Sequence, residues 1–214
     1  MTALTRRSFA AFIALAGLFF ASPHFAAEGT DVIGQVSKIQ KAVYAMQDAL
    51  PRKLEMGSDV LLGDVISTGR GARIEIILSD GAEVTLGERT HFVVQEFLAG
   101  ADENNAVMRL LEGAFKVTSG KMMQVADASF VVETNTATIG IRGTTFWGGS
   151  LDGEFEVALL DGKGIYVETK AGRVELSDVG QGTKVSGATQ SPSKPVTWPQ
   201  KKVNRAIATV TFEQ

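Results

Sequence analysis

Residues 131–149 read VVETNTATIGIRGTTFWGG, and this stretch decides the fold class. Its β-branched residues on either side of Gly140 predict two short strands. A turn is expected at Arg142-Gly143, before the aromatic pair Phe146-Trp147 and two glycines. The stretch has no nucleophile–base pair, no metal-ligand spacing and no phosphate-binding loop. It therefore predicts β-strands without a recognisable catalytic motif.

The pattern of this stretch extends over most of residues 32–187. In residues 73–78 apolar side chains alternate, and Asp80-Gly81 then predicts a turn into a second strand. The same plan around Asp161-Gly162 predicts another hairpin over residues 154–168. Turn signals recur about every 8–12 residues, as in sandwiches, barrels and wrapped solenoids. We therefore predict an all-β, antiparallel-rich fold, either an elongated sandwich or a short wrapped β-solenoid.

The N-terminus has the features of an export signal. Arg6-Arg7 precede a chargeless run from Phe9 to Ala21, which is shorter than the roughly 20 apolar residues that a membrane-spanning helix needs. The paired arginines followed by Ser-Phe are typical of a twin-arginine signal. We expect residues 1–27 to be a cleaved signal peptide and the protein to be periplasmic or secreted, without a stable membrane span. An uncleaved N-terminal anchor is the alternative.

Prolines set residues 188–214 apart as a small C-terminal extension. Pro192, Pro195 and Pro199 cannot lie inside a central strand or helix, because proline has no backbone N–H. This segment is predicted to be a linker or an arm laid on the domain. Residues 201–212 are predicted to form a short helix that becomes a strand.

The composition excludes several classes of function. The chain has no cysteine, which excludes disulfides, thiolate catalysis and cysteine-based zinc sites. His91 is the only histidine outside residues 1–27, and one imidazole cannot form the paired ligands of common zinc sites. A formal net charge of −3 without a basic run argues against nucleic-acid binding. We expect no metal and no cofactor.

Several short motifs, taken in order, resemble FecR-type periplasmic domains. They lie at residues 62–69, 71–73, 78–81, 136–147, 160–162 and 180–183. The resemblance covers residues 32–187 and implies an exported all-β domain. In the best-known members, this domain senses an outer-membrane siderophore receptor and controls a sigma factor through a cytoplasmic N-terminal region. Since only a handful of residues precede the hydrophobic run here, we expect no such region and do not carry over the sigma-factor role.

Three residues of the opening stretch are candidates for binding a partner: Arg142, Thr144 and Trp147. The Arg142 guanidinium could bind a carboxylate, a phosphate or a partner's backbone. Alternatively, it could tie its own turn to neighbouring carbonyl groups. Trp147 could be a stacking platform for a sugar or a side chain, or a core aromatic followed by a glycine turn.

Other polar residues have a stronger structural interpretation than a catalytic one. Asp64 and Asp80 could bind a hard cation, but their positions favour turn capping. His91 could be a general base if a hydroxyl lay near it, and Glu154 with Glu156 could form a glycosidase-like carboxylate pair. Strand spacing explains these residues equally well, so we predict no catalytic residue.

The resulting hypothesis is a non-enzymatic, exported accessory module for protein binding or envelope signalling. Its expected partner is an envelope or outer-membrane protein, bound through a sheet edge or through residues 142–149. The alternative is a glycan-binding module of the cell surface, although the chain has only two Trp and two Tyr residues. An enzyme is the third hypothesis.

Overall fold

The computed structural model describes residues 31–100 and 103–213, and the predicted signal peptide, residues 1–27, lies outside them. The strands are, in chain order, β1 (Val32–Gln40), β2 (Val43–Gln47), β3 (Leu50–Leu54), β4 (Asp59–Leu61), β5 (Val65–Thr68), β6 (Arg73–Leu78), β7 (Glu83–Leu86), β8 (His91–Ala99), β9 (Asn104–Glu112), β10 (Ala114–Thr118), β11 (Ser129–Glu133), β12 (Thr138–Ile141), β13 (Thr144–Leu151), β14 (Glu154–Gly162), β15 (Ile165–Thr169), β16 (Gly172–Leu176), β17 (Gln181–Val185) and β18 (Val196–Thr197). A 3-10 helix (Lys121–Gln124) and one α-helix, α1 (Gln200–Ala208), complete the described elements. No helix in these described ranges is both long enough and apolar enough to cross a bilayer.

The strands form two nine-stranded sheets that share one hydrophobic core. Sheet I has the order β18-β17-β14-β13-β10-β7-β6-β1-β4, and sheet II has the order β16-β15-β12-β11-β9-β8-β5-β2-β3. The chain passes repeatedly between the sheets while it advances along both. Neighbouring strands are antiparallel except for β9 and β11, which are parallel. The all-β prediction is confirmed, and the fold combines the two layers of a sandwich with the winding of a solenoid.

The first predicted hairpin is present, and its alternating apolar side chains form one buried face. Strands β6 and β7 pair in an antiparallel ladder, and Gly81 in the turn between them has a φ of 84°. Ile74, Ile76 and Leu78 point into the core, with exposed fractions of at most 2%. Every second side chain of a strand points to the same face, so one face of this hairpin is buried.

The second predicted hairpin, over residues 154–168, is wrong. Strand β14 lies in sheet I, whereas β15 lies in sheet II and pairs with β12. Gly162 and Gly164 have φ values of 98° and 137°, which favour glycine and turn the chain out of its sheet. The hairpin in this region is instead formed by β15 and β16.

The aromatic pair of the opening stretch faces two different cores. Phe146 points between the sheets, where its ring meets Phe115 edge-on with a centroid distance of 5.4 Å. Trp147 points to the outer face of sheet I, where it belongs to a second hydrophobic cluster with Trp198. Sheet I is therefore covered on both faces at this strand.

The outer cluster is closed by residues 188–213, which we call the C-terminal arm. Strand β18 of the arm pairs with β17, and Ala206 of α1 is fully buried against sheet I. Trp147 Nε1 donates a hydrogen bond to Thr209 Oγ1 over 2.9 Å. The predicted short helix is therefore present, at Gln200–Ala208, and residues 211–213 are not a strand.

Two ion pairs also connect the C-terminal arm to β14 and to the β13–β14 turn. Lys202 Nζ lies 2.6 Å from Oε2 of the fully buried Glu156 and packs 4.2 Å from the centroid of the Trp198 ring. Arg205 pairs with Asp152 over 2.6 Å, and its hydrogen bond lowers the pKa of that carboxyl. Loss of Lys202 would leave the buried carboxylate of Glu156 poorly compensated, whereas solvent screens the exposed pair of Arg205 and Asp152.

Truncation of Trp147 tests this packing. Trp147→Ala should lower the free energy of unfolding by about 3–5 kcal/mol, the usual cost of removing a large buried aromatic side chain. Urea denaturation followed by circular dichroism measures the loss. Trp147→Phe is the matched control, since it keeps a ring and loses mainly the hydrogen bond to Thr209. A loss below about 1 kcal/mol for the alanine variant would contradict the described burial.

Candidate functional site

The candidate site is built where the chain passes twice between the sheets. Residues 142–143 connect β12 of sheet II to β13 of sheet I, and residues 163–164 connect β14 back to β15. The two connections are hydrogen-bonded to each other. Arg142 N donates to Gly164 O over 3.2 Å, and Lys163 N donates to Gly143 O over 3.3 Å. Residues about twenty positions apart are thereby held side by side.

Thr144 joins these connections with its side chain. Thr144 Oγ1 donates to Gly164 O over 2.8 Å and accepts from Gly164 N over 3.2 Å. Its backbone exchanges further bonds with Ser119, whose Oγ accepts from Thr144 N over 2.9 Å. With an exposed fraction of 3%, Thr144 supports the loop from inside rather than offering a contact surface.

A groove of about 340 Å³ opens beside the two connections. It is lined by Met123, Ser129, Val131, Arg142, Lys163 and Tyr166, among others. The charged residues that line it, Arg142 and Lys163, are both cations. The Arg142 side chain is 63% exposed and its nearest carboxylate, that of Glu175, is 3.8 Å away. The groove therefore presents positive charge that the protein itself compensates only weakly.

The wall of the groove is formed by the ring of Tyr166. The ring packs against Gly140 in the neighbouring strand, and a Cβ at that position would overlap it. The guanidinium of Arg173 lies 3.7 Å from the ring centroid, a cation–π contact. Gly140 therefore lies inside β12 and makes room for Tyr166, whereas the sequence predicted that it separates two strands.

Strand β15, which carries Tyr166 of the groove, lies next to the edge strand of sheet II. Strand β16 is the last strand of sheet II and pairs with β15 along one side. A smaller cavity between β15 and β16 shares Arg142, Lys163 and Tyr166 with the groove. Because hydrogen-bonded pairs alternate in antiparallel ladders, every second residue of an edge strand directs its N–H and C=O outward.

The other three edges are less suited to pairing with a further strand. Strands β4 and β18 have three and two residues. Strand β3 contains Pro51, and Arg52 of the same strand is bonded to Asp59 and Asp64. Proline and short length are common ways to block an edge. Strand β16 has five residues and no proline, and near this strand the C-terminal arm bonds to the turn that precedes it, at residues 170–171.

The structure separates the three predicted partner-binding residues. Arg142 is exposed at the groove, whereas Thr144 is buried in a hydrogen-bond network and Trp147 is fully buried under the C-terminal arm. The burial of Trp147 agrees with its alternative interpretation as a core aromatic. A contact between Trp147 and a partner would require the arm to move.

The two aspartates considered as cation ligands hold loops instead. Asp64 accepts hydrogen bonds from Arg52 and from the Leu61 amide, and Asp80 accepts from the Ala82 amide. Within residues 31–100 and 103–213, no group of three or more His, Asp or Glu residues could hold a metal ion. These residues act as the turn-capping interpretation predicted.

The residues considered for catalysis do not enter the groove. Ser67 Oγ lies 2.9 Å from His91 Nδ1, so a hydroxyl is near the histidine, but the exposed His91 lies on the open outer face of sheet II. Glu154 is bonded to Lys184 and Ser186, and the Lys184 hydrogen bond lowers the pKa of its carboxyl. Glu156 belongs to the buried ion pair with Lys202.

Lys163 and Tyr166 are site residues that sequence reasoning missed. The sequence pattern predicts a simple hairpin turn at residues 161–164 and an ordinary strand position for Tyr166. The available signal was the second glycine, Gly164, which a two-residue hairpin turn does not need.

Comparisons with known proteins agree with this fold. Residues 64–163, just under half of the chain, match the family described as FecR protein. Two crystal structures, at 1.65 and 2.50 Å resolution, of a candidate anti-sigma factor from Parabacteroides distasonis match with 17% identity and a TM-score of 0.51. The match covers 64% of this chain and 61% of that protein. Among curated proteins, no sequence matches significantly.

At that level of identity the structural match concerns the fold alone, and the chain corresponds to less than two thirds of the matched protein's length. The family match lies inside the predicted range of residues 32–187; it includes the first connection of the candidate site, residues 142–143, and ends at Lys163 in the second. The resemblance inferred from the sequence motifs is thus confirmed: this chain carries a FecR-type domain segment at residues 64–163.

Proposed function

We propose that this protein is an exported, non-enzymatic regulatory module that binds a protein partner in the bacterial envelope. The observation that carries the proposal is the position of Arg142 and Lys163, which line both the groove and the smaller cavity at β16, the last strand of sheet II. An extended segment can add to an open sheet edge through backbone hydrogen bonds, while side chains give specificity. The FecR-type segment and the fold of the candidate anti-sigma factor support a role in signalling.

The charges of the site favour an acidic partner segment. Arg142 and Lys163 line the groove. Arg173 lies over the Tyr166 ring and pairs with Glu175 over 3.2 Å. An arginine guanidinium can bind a carboxylate through two parallel hydrogen bonds. The separation of 3.8 Å between Arg142 and Glu175 on an exposed surface represents a weak pair, which a partner carboxylate can replace. We therefore propose that Arg142 contacts the partner directly, and that Thr144 and Trp147 contribute by holding the surrounding strands.

The location of the partner is inferred from the N-terminal sequence and the family. A twin-arginine-like signal in residues 1–27 would deliver the domain to the periplasm, where an envelope or outer-membrane protein would be its partner. Glycan binding is less well supported. Trp147 is buried and the ring of Tyr166 already contacts Arg173 and Gly140, so neither presents a free aromatic platform.

The groove and the edge can be tested with a defined peptide. A blocked hexapeptide of alternating glutamate and valine should bind the domain, and Arg142→Glu combined with Lys163→Glu should weaken binding at least tenfold, because the glutamates then face like charges. Isothermal titration calorimetry measures both affinities. A tenfold loss corresponds to about 1.4 kcal/mol, a modest value for two charge reversals.

Two matched peptides serve as controls. A lysine–valine hexapeptide should not bind the unmodified domain, since it carries the opposite charge. N-methylation of alternate residues, made in both registers, should abolish binding in one register, because one set of backbone amides bonds to β16. Equal binding of the acidic and basic peptides, or full binding in both methylated registers, would refute this site.

Export is tested separately. Residues 1–27 fused to a reporter protein that folds before transport should direct it to the periplasm, as a twin-arginine signal does. Replacement of Arg6-Arg7 by a pair of lysines should retain the reporter in the cytoplasm. Periplasmic location of both fusions would point to a different export route, and cytoplasmic location of both would show that the segment is not an export signal.

A further inference from the structure

A second group of polar residues lies at the opposite end of sheet I from the groove, around the buried Arg73. This residue begins β6 and has an exposed fraction of only 8%. Its Nη1 donates to its own neighbour, Ala72 O, over 2.8 Å, while its buried Nε has no hydrogen-bond partner. The ion pairs of the described residues do not include Arg73.

A buried guanidinium whose Nε–H has no hydrogen-bond partner is costly, because an unsatisfied buried donor costs about 1–3 kcal/mol. A nearby carboxylate is that of Glu88, whose pKa is lowered by the Gly71 amide and further by the charge of Arg73. Glu88 balances part of this charge without forming an ion pair with Arg73. An external oxyanion would supply what the chain itself does not.

The structure provides room for such a ligand. Arg73 lines a cavity of about 390 Å³ together with Glu88, Arg89, Glu112, Ser150 and Thr209. The cavity lies between the β7–β8 turn, the β9–β10 turn and the end of α1. Ser150 carries a hydroxyl group that can donate to an oxyanion, whereas the Thr209 hydroxyl already donates to Ala206 O over 2.6 Å. A volume of this size admits a small molecule rather than a protein segment.

The two glutamates restrict the charge of the ligand. The hydrogen bond from the Gly71 amide lowers the pKa of Glu88, so its carboxylate is ionised at neutral pH. With Glu112 also at the rim, the two arginines and two glutamates give the lining a formal charge near zero. A dianion such as phosphate is repelled by the rim, whereas a single carboxylate can reach Arg73 at lower cost.

We propose that this cavity binds a small carboxylate, with Arg73 as its buried anchor and Arg89 and Ser150 as further donors. This site is separate from the groove that contains Arg142 and does not depend on the proposed peptide binding.

Acetate is the probe that tests the site. In the full-length protein, acetate at millimolar concentration should shift the nuclear magnetic resonance signal of the Arg73 Nε–H saturably, and it should raise the melting temperature. Phosphate at matched ionic strength should produce a smaller shift. Sodium chloride controls for ionic strength, and an absence of any saturable acetate shift would overturn the proposal.

Three variants separate binding from folding. Arg73→Met should raise the melting temperature in the absence of acetate, because it removes a buried guanidinium whose Nε has no hydrogen-bond partner, and should abolish the acetate effect. Arg89→Gln should leave the protein folded and weaken acetate binding, whereas Arg70→Gln, at an exposed arginine nearby, should change neither. A lower melting temperature of Arg73→Met would show that the chain already compensates this charge, which contradicts the site.

Discussion

The hydrogen bonds between Thr144 and Gly164 join two places where the chain passes between the sheets, residues 142–143 and residues 163–164. Each passage needs backbone angles that only glycine adopts easily, at Gly143 and at Gly164. The Thr144 hydroxyl satisfies both backbone groups of Gly164 in a buried position, where an unsatisfied group would cost about 1–3 kcal/mol. These Thr144–Gly164 hydrogen bonds hold the two passages together. They thereby support the strand pairing on both sides and place Arg142 close to Lys163.

The same strand that begins at Thr144 explains the C-terminal arm. Strand β13 places Phe146 in the core between the sheets and Trp147 on the outer face of sheet I. An exposed indole beside Leu151 and Ala158 would form an apolar patch on sheet I. The arm covers this patch with Trp198 and α1, and the buried pair of Glu156 and Lys202 fixes its position.

Local patterns in the sequence predicted much of the fold because alternation and turn chemistry act over a few residues. The β6–β7 hairpin, the turn at Arg142-Gly143 and the arm followed from such patterns. The passage of β14 into β15 did not, because the choice between a hairpin and a change of sheet depends on the pairing of β15 with the distant β12. Distant pairing of this kind leaves no local signature.

The candidate site was predicted less well than the fold, for a related reason. Arg142 was identified from its own turn, but Lys163 and Tyr166 reach it only through the second passage between the sheets. Thr144 and Trp147 were adjacent in sequence to Arg142 and lie on other faces of the structure. Thr144 and Trp147 are close to Arg142 in the sequence, but this closeness does not expose them to a partner. The residues that share the groove with Arg142 are determined by the hydrogen bonds between residues 142–143 and residues 163–164.

Amide hydrogen exchange in Thr144→Val, with Thr144→Ser as control, tests the central claim most directly. The amides of Arg142, Lys163 and Gly164 bond across the two passages. If the Thr144 hydroxyl holds the passages together, all three amides should exchange faster in the valine variant and remain protected in the serine variant, which keeps the hydroxyl. Faster exchange of the Gly164 amide alone, or no change at any of the three, would contradict the account.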